Sequence, residues 1–174
     1  KKVLAAKLLE LQQGAFAYAK LLDESTPDEQ TIEEIKQFLK QKLNVHIKED
    51  IDKYKEVYQI EFLKEKLNAP IRVCGMVKNE GEPGGGPFWV KDEDGNISLQ
   101  IIETPQIDPN NKFQQDILNS STHFNPVDIV CGTKNYKGEK YDLLRFVNTK
   151  NAFITKKTLQ GKELKALELP GLWN

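Results

Sequence analysis

Residues 61–77 read EFLKEKLNAPIRVCGMV, and the apolar period changes inside them. Up to Leu67 the apolar side chains recur at three- and four-residue steps, the spacing of one helical face. Pro70 has no amide hydrogen with which to extend a helix, and behind it IRVCGMV is a run of β-branched and apolar residues of strand type. The chain therefore divides into a helical segment, residues 1–69, and a mixed β-rich segment, residues 70–174. Helices grouped ahead of strands predict an α+β fold, with N-terminal helices followed by a mixed sheet that contains two hairpins.

Upstream of the switch, Leu4, Leu8, Leu11, Ala15, Tyr18 and Leu22 form one apolar stripe, which predicts a helix from about Lys1 to Asp23. TPDE then predicts a second helix start, with Thr26 as N-cap, Pro27 at the first helical position and Glu29 closing a capping box. Ile32, Ile35, Phe38, Leu39 and Leu43 are its buried face. A third helix is expected over about Lys48 to Leu67, with Ile51, Tyr54, Val57, Tyr58, Phe62 and Leu63 in the core.

Downstream, PFWV and ISLQIIE flank the tight-turn pair Asp94-Gly95 and predict a hairpin over Phe88 to Glu103. PNNKFQQDILNSS reads as a short helix, PVDIVCG as a strand and YKGE as a turn. AFITKKTL and KELKALEL, joined by Gln160-Gly161, form the second hairpin, with Leu164, Ala166 and Glu168 on one side.

The 174 residues carry a net charge of −1, which argues against general nucleic-acid binding, because neutralising phosphates needs a surplus of Lys and Arg. No apolar run is long enough to span a membrane, and two cysteines are too few for a disulfide scaffold. Cys74 and Cys131 each sit among apolar neighbours and are expected to be buried thiols, so a cytoplasmic location is expected. The chain has no initiator Met, begins inside a helical pattern and ends with Trp173 in LELPGLWN, so a fragment of a larger protein is expected.

VKNEGEPGGGPFWV, residues 77–90, contains the most unusual composition. The glycine-rich loop 81–87 lacks the Lys-Ser or Lys-Thr and the following helix of a Walker loop, and it lacks the Rossmann spacing. Two readings stay open for Gly84, Gly85 and Gly86, a hinge or a lid over a polar ligand site. Glu103 ends an apolar strand where a carboxylate can accept hydrogen bonds from sugar hydroxyls, or stand in solvent. Asn125, ahead of Pro126 in THFNPVD, can offer a donor and an acceptor to a ligand, or close a turn. His46 and His123 suggest no catalytic order. Asp92, Glu93 and Asp94 read as a solvated turn, and no metal ligands emerge.

Taken together, APIRVCGMVKNEGEPGGGPFWV, SLQIIETPQID, HFNPVDIVCG and LKALELPGLWN resemble an uncharacterised family of longer bacterial proteins. Those proteins are in turn remotely similar to the sugar-nucleotide pyrophosphorylases, nucleotidyltransferase-like α/β proteins that join a nucleoside triphosphate to a sugar 1-phosphate with Mg²⁺. The resemblance implies that this chain is the sugar-binding later half of such a protein, or alternatively a non-catalytic ligand- or protein-binding module. It implies that Gly75 lets the sugar approach the backbone and that Glu103 and Asn125 hold it, beneath the lid of Gly84 to Gly86. It implies a sugar phosphate or sugar nucleotide as partner, no cofactor in this chain, and Mg²⁺, a phosphate loop and a metal-binding aspartate in a missing upstream part. This chain alone would then be inactive.

Overall fold

The computed structural model describes residues 1–47, 49–81, 84–93 and 95–168. Helix α1, Lys2–Glu24, buries Leu8, Leu11, Ala15, Ala19 and Leu22, so Ala19 joins the expected stripe while Leu4 and Tyr18 are only half-buried. Helix α2, Glu29–Lys42, buries Ile32, Ile35 and Leu39. Its cap lies two residues later than expected. Asp28 is the N-cap and accepts a 2.8 Å hydrogen bond from the Thr31 amide, while Pro27 is buried ahead of it. Either TPDE residue could cap, and the one that lets Ile32, Ile35 and Leu39 face the core prevails.

The third expected helix is broken. A 3-10 turn, Glu49–Lys53, precedes α3, Glu56–Leu67, and α3 buries Leu63 and Leu67. Tyr54, Val57 and Tyr58, expected in the core, are instead 60%, 63% and 60% exposed. The break sets the phase. Once α3 starts at Glu56, the Leu63 and Leu67 side faces the other helices, and Val57 and Tyr58 point away.

The strands follow as β1 (Val45–His46), β2 (Arg72–Cys74), β3 (Val77–Lys78), β4 (Gly86–Lys91) and β5 (Ile97–Ile102). After helix α4 (Lys112–Asn119) come β6 (His123–Phe124), β7 (Ile129–Cys131), β8 (Phe153–Leu159) and β9 (Lys162–Glu168). The architecture is α+β. Its strands divide into small antiparallel sheets, β1-β5-β4, β2-β7, β3-β6 and β8-β9. Both expected hairpins form. In the first, Asp92 accepts hydrogen bonds from the Asn96 amide and side chain at 2.7 and 3.0 Å, and Gly95 takes φ +86°. In the second, Gln160 and Gly161 are both left-handed, as a two-residue turn that matches strand twist requires. Lys48, Asp94 and Trp173, and positions 82 and 83 of the glycine-rich loop, lie outside the described residues.

The main core lies between the three long helices, with Ile35, Leu39, Leu63 and Leu67 almost wholly enclosed. Gly14 permits the α1 and α2 contact, since a β-carbon there would stand 2.7 Å from a Phe38 ring carbon. The other side of α1 rests on β2 and β7. At its C-terminal end Asp23 accepts from the Tyr136 hydroxyl and pairs with Lys137 at 3.0 Å and Lys64 at 3.2 Å. The Tyr136 bond first, then the two lysines, hold the Asp23 carboxyl far below its ordinary range. Among the described residues, no helix is long and apolar enough to cross a membrane.

Truncating Ile35→Ala should lower unfolding free energy by about 2–5 kcal/mol, read from urea titration, because a fully enclosed side chain leaves a cavity. For Asp23→Asn the expected loss depends on pH. A carboxyl whose folded value is depressed contributes fully above the unfolded value near pH 4 and loses that contribution as pH falls further. The variant should therefore melt below wild type at pH 7, with the gap narrowing at pH 3.

Candidate functional site

A cavity of about 520 Å³ opens where α1, β2, β5 and β7 meet, in the size range of small-ligand sites. Its wall is built from the strand register. Arg72 stands opposite Cys131 across β2 and β7, and Cys74 lies two residues along on the same face. Arg72, Cys74 and Cys131 all line the cavity. The Arg72 Nη2 donates to Gln100 Oε1 on β5, and Gln100 Nε2 donates to Ser98 Oγ at 2.9 Å. Burial pulls the Arg72 pKa down from its usual value, with the two neighbouring thiols opposing that shift. A guanidinium keeps its proton even so.

Lys7 and Lys42 also reach the wall, so among the described residues its lining carries three cations and no carboxylate. Glu10 stands nearby on α1, 2.7 Å from Lys7, and the Lys7 bond with a weaker pull from Lys42 lowers its pKa. That pair is exposed to solvent, where screening is strong. The deeper charge is Arg72, whose planar donors suit an oxygen anion such as phosphate or carboxylate.

The residues singled out in the sequence gather elsewhere. Residues 125–128 stand against only Gly75 and Met76, so the ladder that runs from β2-β7 to β3-β6 carries a bulge. Asn125 fills it. Its Nδ2 donates to the Gly75 carbonyl at 2.7 Å, its Oδ1 accepts from the Val127 amide at 2.9 Å, and its own amide donates to the Gly85 carbonyl at 2.8 Å. Gly75 in turn donates to the Asp128 carbonyl at 2.7 Å. What approaches Gly75 most closely is Asp128 and the Leu4 side chain of α1.

Gly85 and Gly86 are buried, and Gly86 already pairs with Ile102 as the first residue of β4. None of Gly84, Gly85 and Gly86 takes a positive φ. The glycines answer a packing need. A β-carbon on Gly85 would stand 2.6 Å from Ile101 Cγ2 and 2.9 Å from Glu103 Oε1, and one on Gly84 would stand 2.8 Å from the Phe124 ring. Glu103 is half-buried, and burial first, then the charge of Glu168, raises its pKa. Glu168 is itself held low by Lys157 and Thr155.

Gly75, Gly85, Glu103 and Asn125 thus form one packed neighbourhood, but neither they nor Gly84 and Gly86 line the cavity. Ser98, Leu99, Gln100 and Ile101 of β5 line the cavity, with Gln100 the partner of Arg72, while Glu103 follows the end of the strand. Cys74 and Cys131, expected to be buried, are half-exposed toward the cavity. His46 packs edge-on to Trp89 with ring centres 4.9 Å apart, and His123 shares a 2.8 Å hydrogen bond with Thr122. Among the described residues no group of His, Cys, Asp and Glu side chains is placed to hold a metal. Arg72 is the residue that sequence reasoning passed over. Its one signal was a lone cation inside the apolar run IRVCGMV.

Replacing Asn125 by Ala should cost about 1–3 kcal/mol, since two hydrogen bonds of this buried side chain, to the Gly75 carbonyl and from the Val127 amide, are lost at roughly 0.5–1.5 kcal/mol each. Amide exchange should accelerate at Val127 and Gly75 while α2 stays protected. Gly85→Ala should also destabilise the fold, by about 1–3 kcal/mol from overpacking against Ile101.

A model of the family described as Domain of unknown function (DUF4301) matches residues 1–174, and the chain belongs to that family. No curated protein and no solved structure matches it.

Proposed function

We propose that this member of the family holds a small phosphorylated sugar in the Arg72 cavity, as the sugar-binding later half of a sugar-1-phosphate nucleotidyltransferase-like protein. One observation carries the reading: a half-buried guanidinium at the wall of a cavity whose lining, among the described residues, includes two further cations and no carboxylate. A phosphate seated against Arg72 would meet planar donors whose geometry suits its oxygens. The amide of Gln100 and the hydroxyl of Ser98 supply the neutral donors and acceptors that hydroxyl groups need.

Gly75 and Asn125 contribute indirectly in this reading. By fixing the Gly75 carbonyl, Asn125 holds the end of β2, the strand that presents Arg72. Glu103 follows β5 and packs against Gly85. Joining the sugar phosphate to a nucleotide would need Mg²⁺ and a phosphate loop from outside this chain. A second reading, a non-catalytic module that holds a protein partner, is favoured by α4, which buries no side chain and leaves Phe113 74% exposed.

Titration calorimetry with hexose 1-phosphates tests the first reading. Wild type should bind, nucleoside triphosphates should bind more weakly, and Arg72→Met should weaken sugar phosphate binding at least about tenfold, because a charge-assisted hydrogen bond contributes roughly 1.5–3 kcal/mol. Binding should also weaken with added salt. Equal affinity in the variant, with its circular dichroism unchanged, would sink the assignment of Arg72.

A further inference from the structure

Two thiols face the same cavity as Arg72, a placement that the ligand reading leaves without a role. Cys131 is directly opposite Arg72 in the β2-β7 register, so their β-carbons lie within about 4.5–5.5 Å of each other. Cys74 shares the face. Neither thiol is in a disulfide. A reagent that enters the cavity meets three cations and two thiols in its lining, and the cations select which reagents enter.

We propose that the cavity is a thiol-modification site for anionic low-molecular-weight disulfides, and that a mixed disulfide at Cys131 blocks the ligand site; the blocking half of this proposal rests on the sugar phosphate reading above. In the step, the Cys131 thiol gives its proton to solvent and the thiolate attacks one sulfur of the disulfide. The S–S bond of the reagent breaks, a protein S–S bond forms and the other half leaves as a thiolate, so sulfur oxidation states balance without a further oxidant. Arg72 assists in two ways: it attracts the anionic reagent and it favours the thiolate across the strand pair. Burial raises the Cys131 pKa, with Arg72 opposing the shift, so exchange is slow at neutral pH and depends on the guanidinium. Once formed, the adduct occupies the volume beside Arg72 that a phosphate would take.

The test uses two aliphatic probes of opposite charge, dithiodipropionate and cystamine, each rate divided by that probe's rate with free N-acetylcysteine, with adducts located by intact mass and peptide mapping. The anionic probe should react at least tenfold faster than the cationic one in wild type. Arg72→Met should remove most of that preference, and Cys131→Ser should remove the principal adduct while Cys74→Ser retains it. Modified wild type should lose inorganic phosphate and hexose 1-phosphate binding, and reduction with dithiothreitol should restore it. Equal rates for the two probes, or an unmodified Cys131 in folded protein, would overturn the proposal. If the charge preference holds while hexose 1-phosphate never binds, the thiol site stands and the sugar phosphate reading fails. If the ligand binds equally well to the modified protein, the blocking role fails and the ligand reading stands.

Discussion

Helix α1 is covered on two sides, and the rest of the molecule is arranged to satisfy it. Leu8, Leu11, Ala15, Ala19 and Leu22 must leave water, and no single neighbour covers so wide an apolar surface. The helices α2 and α3 close over its later turns around Ala15, Ala19 and Leu22, where Gly14 admits the Phe38 ring. Strands β2 and β7 close over the remainder. Small residues make the second contact possible: Gly75 meets Leu4, and Gly132 meets the Gln12 side chain. The Asp23 cluster with Tyr136, Lys137 and Lys64 then ties the helix end to α3 and to the loop after β7.

That arrangement also creates the cavity. Strand β2 is bound to β7 on one side and to α1 across its face, while β5 is bound to β4 and only briefly to β1. The two sheets are bridged through the Arg72 to Gln100 hydrogen bond, and space remains around it. Gln100 accepts from the guanidinium there, and its own amide nitrogen donates to Ser98. The cations in the cavity lining are the physical basis of the ligand reading, and the same guanidinium stands across the strand pair from Cys131.

Bulges are frequent beside functional sites because they redirect a strand, and the one at residues 125–128 separates β2 from β3. The sequence presents IRVCGMV as one strand. The structure divides it between two sheets, with Arg72 and Cys74 turned to the cavity and Val77 exposed. Asn125 makes that division stable by supplying the hydrogen bonds that a continuous ladder would have supplied.

The sequence by itself determined the α+β order, the change of period at Pro70, the stripes of α1 and α2 and both hairpin turns, because each depends on residues a few positions apart. It also marked Asn125 and the glycines around Gly85 as unusual. Their roles were decided only by the tertiary structure: Gly85 is small because Ile101 and Glu103 press on it, and Asn125 is polar because Gly75, 50 positions away, needs a donor. The same holds for the break ahead of α3, which turned Tyr54, Val57 and Tyr58 to solvent. It holds above all for Arg72, an ordinary cation in the chain that becomes the charge of a cavity when Gln100 and Cys131 are folded against it. Periodicity records which face of an element avoids water, and it carries no record of what the opposite wall will be.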